Sequence, residues 1–318
     1  MTEIAEPPAP KTLKARLWNI TKTVLKIAIS SALLYYVFSK VPINQVKTKL
    51  ISANYWWMFA GVVCFFGSII MSSWRLSSFF KSIGLHLNPK FNLRLYLLGL
   101  FYNFLLPGGI GGDGYKIYIL SKNYKHPGKK IFWAILFDRL SGLWAIGLII
   151  VALIFLIPQI EVHITIPLGI FLVGSAIYYF VAYKFFREYT RFFFQAHAKA
   201  VAVQLLQVLV IIFILFGQDF SGKFSPYLLS FLCSSLATLV PTIGGAGARE
   251  AIFAQLSDVF NMDVNLAVFL SISFYLTSLV VALFGIYYVL RPSRLAEGLA
   301  ENEVIVEDEA EPTNERSN

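Results

Sequence analysis

The 318-residue sequence holds two cysteines and four histidines. Cys64 and Cys233 both fall inside apolar stretches, which excludes a disulfide framework and reads as two inert, buried thiols. His86, His126, His163 and His197 are scattered without metal-ligand spacing, and neither CxxC nor HExxH occurs. No metal and no other cofactor is therefore expected. There is no GxSxG elbow and no P-loop, and the glycine runs lack a βαβ setting, which excludes a dinucleotide fold. Charge is scarce as well: 14% of the residues are charged, against roughly a quarter in a soluble domain.

Apolar residues are abundant. They make up 57% of the chain and come in long blocks, such as Ile131 to Ile157, interrupted only by Asp138 and Arg139. A helix needs roughly 20 mostly apolar residues to cross the hydrocarbon core, and several blocks meet that length. The sequence predicts an all-α, polytopic membrane protein with spans near 22–39, 54–74, 131–157, 164–183, 199–216 and 266–290. No small-residue cleavage site follows the first block, so it reads as a retained span rather than a signal peptide. The net charge of +9 does not point to nucleic acid, because Lys and Arg cluster between the apolar blocks, as positive-inside topology requires. Residues 1–21 form a basic N-terminal segment, and 295–318 read as an acidic, solvated, disordered tail.

Segments 91–106 and 225–240 are short for spans, and each ends at a proline, Pro107 or Pro241, beside a glycine cluster. The clusters repeat each other: Ile110-Gly111-Gly112-Asp113-Gly114-Tyr115-Lys116 aligns with Ile243-Gly244-Gly245-Ala246-Gly247-Ala248-Arg249 as IGGxGx[K/R]. If 91–106 enters and turns back, Lys116, Lys122, Lys125, Lys129 and Lys130 share a side with Arg75, Lys81, Lys90 and the basic N-terminus. That threading also leaves the connections near 158–163 and 217–224 almost free of Lys and Arg, although 40–53 keeps Lys40, Lys47 and Lys49. Each half, 22–157 and 164–290, then holds three spans and one re-entrant helical hairpin. Three crossings are an odd number, so the halves are inverted repeats, a recurrent transporter design.

The candidate site follows from those breaks. Gly111 and Gly112 in one cluster, and Gly244, Gly245 and Gly247 in the other, permit close backbone approach. Peptide N–H groups there can converge on an anion, with Lys116 and Arg249 adding a cation a turn further on. The competing reading is that the glycines only allow tight hairpin tips and helix packing. Asp113 would repel phosphate, which points instead to a cationic headgroup or a helix cap. Asp138 and Arg139 lie two turns into a span, where ionisable groups line a polar pathway or form a structural clamp. Adjacent helical positions point roughly 100° apart, so the two should have separate partners. Arg75, at the end of a Trp-flanked stretch, reads as an interfacial anchor that could also reach a lipid phosphate. Glu250 is a counter-ion for Arg249 or a proton-coupling carboxylate.

Pro107-Gly108-Gly109-Ile110-Gly111-Gly112-Asp113, then Asp138-Arg139-Leu140, then Pro241 through Glu250 together resemble the signature of the lysylphosphatidylglycerol synthase transmembrane-domain family. That flippase-like region is also found in bacterial multiple peptide resistance factor proteins. The likeness covers most of 20–290. It implies a translocator of charged-headgroup lipids in a bacterial inner membrane, both termini cytoplasmic, with Asp113, Asp138, Arg139, Arg249 and Glu250 as candidate site residues. A short acidic tail stands where aminoacylating members carry a soluble transferase domain, so lysyl transfer from tRNA is not expected. The expected partners are membrane lipids, phospholipid or polyprenyl-phosphate-linked, and no nucleic acid; association with a separate lipid-modifying enzyme or a second copy stays open. Two other classes compete with a non-enzymatic flippase: a membrane transferase using a polyprenyl-phosphate donor, with Asp113 or Asp138 as acid/base or metal ligand, and a non-transporting partner of another enzyme.

Overall fold

The structure is a computed structural model and describes residues 43–105, 111–124, 126–157, 163–236 and 248–295. The expected span 22–39, the basic N-terminal segment, most of the second glycine cluster and the acidic tail beyond Leu295 lie outside the described residues. Within them the chain is helical, without strands: α1 (Ile43–Ser52), α2 (Tyr55–Ser82), α3 (Pro89–Leu105), α4 (Gly111–Asn123), α5 (Gly128–Ile154), α6 (Thr165–Phe185), α7 (Phe193–Phe216), α8 (Ser225–Leu236), α9 (Ala248–Phe260), α10 (Val264–Leu283) and α11 (Ile286–Leu290).

Among the described residues, five stretches are long and apolar enough to cross a bilayer: α2, α5, α6, α7 and the combined α10–α11 segment. The expected spans that fall on described residues are thus present, with shifted ends. The α2 helix continues past Trp74 to Ser82, because Arg75 is buried inside the bundle and does not end the span. The α7 helix begins at Phe193 rather than 199, and the last span is divided after Leu283. Cys64 and Cys233 are free thiols, but half-buried rather than buried.

The α2 and α7 helices pack antiparallel. Near one end of the bundle Trp57 stacks on Phe213 at 5.6 Å, and the Asn54 N–H donates to Gly217 O at 2.8 Å. Toward the other end Lys199 Nζ donates to Ser78 Oγ at 2.8 Å. The first end also gathers the Lys49–Asp263 ion pair (3.6 Å) and the Asp263 N–H that donates to Tyr227 OH (3.2 Å). The opposite end gathers the Lys130–Glu188 ion pair and the hydrogen bond from Arg94 to Arg294 O. Burial is unequal: 78% of the apolar window in Val264–Leu290 is buried, against 6% in α6. The former is the central helix, whereas α6 presents Ile170, Val173, Ile177 and Phe180 outward, as a lipid-facing helix does.

The segment expected at 91–106 is α3, and it forms an antiparallel hairpin with α4. Phe91, early in α3, lies 6.4 Å from Tyr124 just past α4, and Tyr102, late in α3, lies 4.8 Å from Tyr115, early in α4. Glycine makes the crossing close: a Cβ on Gly112 would collide with the carbonyl oxygen of Gly99. The segment expected at 225–240 is described as α8 to Leu236, and α9 returns beside it. Leu229 clusters with Phe260, so the start of α8 faces the end of α9. The α3–α4 pair opens at the end holding Lys130 and Arg294, and the α8–α9 pair at the end holding Asp263. Leu295, placed by the sequence at the start of the tail, is buried with Val289 and Phe91.

Candidate functional site

Three helices bring five charged side chains together, and a fourth closes the group. Arg75 lies on α2 seven residues before its end, about 10 Å along the axis, and Asp138 lies on α5 ten residues after its start, about 15 Å. Asp113 and Lys116 stand on the first turns of α4, beside the hairpin tip, and Arg139 follows Asp138 on α5. The α3 helix closes the group with the Tyr96 ring.

The pairing is specific. Arg75 Nε donates to Asp138 Oδ1 at 2.7 Å and Nη2 to Oδ2 at 3.0 Å, a two-point contact between buried partners. Arg75 is therefore not the interfacial anchor its position suggested. Gly142, one turn after Asp138, makes the room: a Cβ there would meet Arg75 Nη1 at 3.1 Å. Asp113 receives Lys116 Nζ on Oδ1 at 3.1 Å and Arg139 Nε on Oδ2 at 2.6 Å. Asp138 and Arg139 thus have separate partners, as their angular offset requires. Lys116 Nζ also sits 4.3 Å from the centre of the Tyr96 ring, where the π face attracts it.

Among the described residues, three cations against two carboxylates leave one positive charge in this cluster. The groups line a cavity of about 210 Å³ together with Tyr96, Leu100 and Asn103. Asn103 Oδ1 accepts the Gly112 N–H at 2.8 Å, so that backbone donor is used within the hairpin and the positive excess comes from side chains. Asp113, whose charge argued against an anion site, is neutralised by its two cations. Gly111 begins α4.

Of the second cluster's charged candidates only the Arg249 side chain is described, and it is not among the described residues that line this cavity. Arg249 is buried near the start of α9 with its guanidinium 4.8 Å from the Phe274 ring centre and 5.9 Å from that of Phe231. Gly244, Gly245 and Gly247, and the side chain of Glu250, lie outside the described residues. The approach of the two glycine tips to each other lies there too.

Sequence reasoning missed Tyr96, Gly99 and Asn103, although they share one face of α3 at helical spacing. It also missed Gln204 and Gln207, two amides one turn apart in an otherwise apolar stretch of α7, which line a neighbouring cavity. Polar groups in such a span are themselves a signal.

The model of the lysylphosphatidylglycerol synthase TM region matches residues 23–285. The chain belongs to this family. No curated protein matches it. As a member of the lysylphosphatidylglycerol synthase TM region family with several apolar helices, it is a multi-pass membrane protein. Asp113, Lys116, Asp138 and Arg139 all lie within the matched residues.

Proposed function

We propose that the protein is a transporter, not an enzyme, that moves lipids with a phosphate-bearing headgroup between leaflets. The observation that carries this reading is the cavity lined by Arg75, Lys116, Arg139, Asp113 and Asp138, with one positive charge in excess among the described residues. Burying such groups in a bilayer is costly, and they mark substrate pathways when they line a polar space. Arg139 is the exchangeable cation: its side chain is 39% exposed while that of Asp113 is 8% exposed. A headgroup phosphate can therefore draw it from Asp113 while Lys116 keeps the carboxylate paired.

In this reading both hairpins are re-entrant and the two halves are inverted. Their opening at opposite ends of the bundle supports it. Lys90, Lys122, Lys129, Lys130, Lys184, Arg187 and Arg191 belong to the end where the first hairpin opens, so the positive-inside rule makes that end cytoplasmic. The termini follow, in a bacterial inner membrane. The ion pairing of both Asp113 and Asp138 favours translocation over a transferase, which would need one of them free as a base.

The test is leaflet exchange of labelled lipids in proteoliposomes of purified protein. Exchange faster than in protein-free vesicles is expected for anionic phospholipids or polyprenyl-phosphate lipids. Equal rates across the panel overturn the reading, and a chemically altered lipid after incubation with donor substrates would support the transferase.

A further inference from the structure

The polar space does not end at Arg139. A second chamber of about 260 Å³ shares Arg75, Tyr96, Leu100 and Arg139 with the first and continues between α2, α5 and α7. Its chemistry differs. No carboxylate among the described residues lines it, and its polar groups beyond the two arginines include the amides of Gln204 and Gln207 and the Ser72 hydroxyl. Gln204 is buried, 6% exposed, and its Oε1 accepts no hydrogen bond.

A buried side-chain oxygen with no donor is uncommon in a folded protein. The terminal torsion of glutamine is broad, so this amide can turn toward the chamber at little cost. What it lacks is a donor. An ammonium group could supply one, but the ion-paired cluster at the chamber's border carries one positive charge in excess among the described residues, which disfavours a further cation. A hydroxyl satisfies the oxygen without that repulsion. Gln204 and Gln207 are one helical turn apart, so neighbouring hydroxyls on one small polyol can meet both amides while its phosphate meets Arg139.

We propose that this chamber binds the uncharged, hydroxyl-bearing part of a polyol phosphate ester, so that the preferred ligand is anionic and not an aminoacylated, cationic lipid. The assignment rests on the translocase reading for its lipid context, and binding tests it separately from transport. Purified full-length protein in detergent is heated with one of four probes: dihexanoyl phosphatidylglycerol, dihexanoyl phosphatidic acid, a short-chain lysyl-phosphatidylglycerol, or glycerol 3-phosphate. Phosphatidylglycerol should raise the unfolding midpoint more than phosphatidic acid or the lysyl lipid. Glycerol 3-phosphate reports whether the acyl chains are needed: stabilisation by it assigns the subsite to free polyol phosphates as well, and its failure beside a working phosphatidylglycerol assigns it to lipid alone. Both results support the subsite.

Gln204→Leu should move the two readouts in opposite directions. It removes an unsatisfied buried acceptor, so the empty protein should be as stable as wild type or more so. The preference for phosphatidylglycerol over phosphatidic acid should disappear, and Gln207→Leu should reduce it. Equal stabilisation of wild type by phosphatidylglycerol and phosphatidic acid overturns the proposal without any variant, as does preference for the lysyl lipid or an unchanged preference in Gln204→Leu. A selective midpoint shift without leaflet exchange in proteoliposomes leaves the subsite standing and sinks the translocase reading instead.

Discussion

Arg139 and Asp113, 26 positions apart, meet at 2.6 Å with unequal exposure, the arginine reaching in from open space to a carboxylate already held by Lys116. Removing Arg139 therefore leaves Asp113 paired and the fold intact, but takes away the cation nearest the cavity mouth. Arg139→Ala should lower leaflet exchange roughly tenfold or more, the worth of one hydrogen bond to a charged group, with folded yield unchanged on size exclusion. Arg139→Lys should fall between, since a point charge replaces a two-point donor. Wild-type exchange in both variants would remove Arg139 from the pathway.

The Arg75–Asp138 pair has the opposite character: both partners are buried, and each depends on the other. Asp138→Asn leaves a guanidinium without its counter-charge and should cost about 3–5 kcal/mol. A large drop in thermal midpoint and in folded yield is expected. The double variant Arg75→Met/Asp138→Leu removes both charges and should recover most of that loss, because apolar replacement of a buried pair is often neutral or stabilising. If the double variant is as unstable as Asp138→Asn, the pair is not the cause.

The long apolar blocks made the spans legible, and the 100° offset between Asp138 and Arg139 correctly required two partners. The partners themselves were not legible. Arg75 sits 63 positions from Asp138, and its place beside Trp74 imitates an interfacial anchor; only the packing of α2 on α5, with Gly142 opposite the guanidinium, reveals the burial. Asp113 was legible in part: Lys116 lies one turn on along the same helix, whereas Arg139, the second cation on its carboxylate, comes from 26 positions away. The end of α2 was missed because a charge in an apolar run looks like a boundary when its counter-charge is far away in the chain.

Two glycines in one motif should respond differently to the same change. A Cβ on Gly112 would run into the Gly99 carbonyl, whereas nothing lies within 4 Å of one on Gly114. Gly112→Ala must push α3 and α4 apart, breaking the Asn103 contact and displacing Asp113 and Lys116, and should lose most folded protein. Gly114→Ala meets no neighbour and should be neutral or stabilise the helix by up to about 1 kcal/mol. Equal thermal midpoints for the two variants would mean that the hairpin does not need the close crossing.

Whether the hairpin is re-entrant decides which side each loop faces. Lys90 lies in the first turn of α3 and Lys129 in the first turn of α5, just beyond the hairpin, so a re-entrant pair places both at one surface, while Lys223, after α7, belongs to the other. Cysteines introduced singly at 90, 129 and 223, with Cys64 and Cys233 replaced by alanine, read this directly. A membrane-impermeant maleimide added to inverted vesicles should label 90 and 129 and spare 223, and intact spheroplasts should give the reverse. Labelling of 90 and 129 from opposite sides would make α3 and α4 one crossing in place of two half-crossings. The second half would then no longer be inverted relative to the first, and a cavity at the hairpin tip would have no reason to lie at the depth where a headgroup must cross.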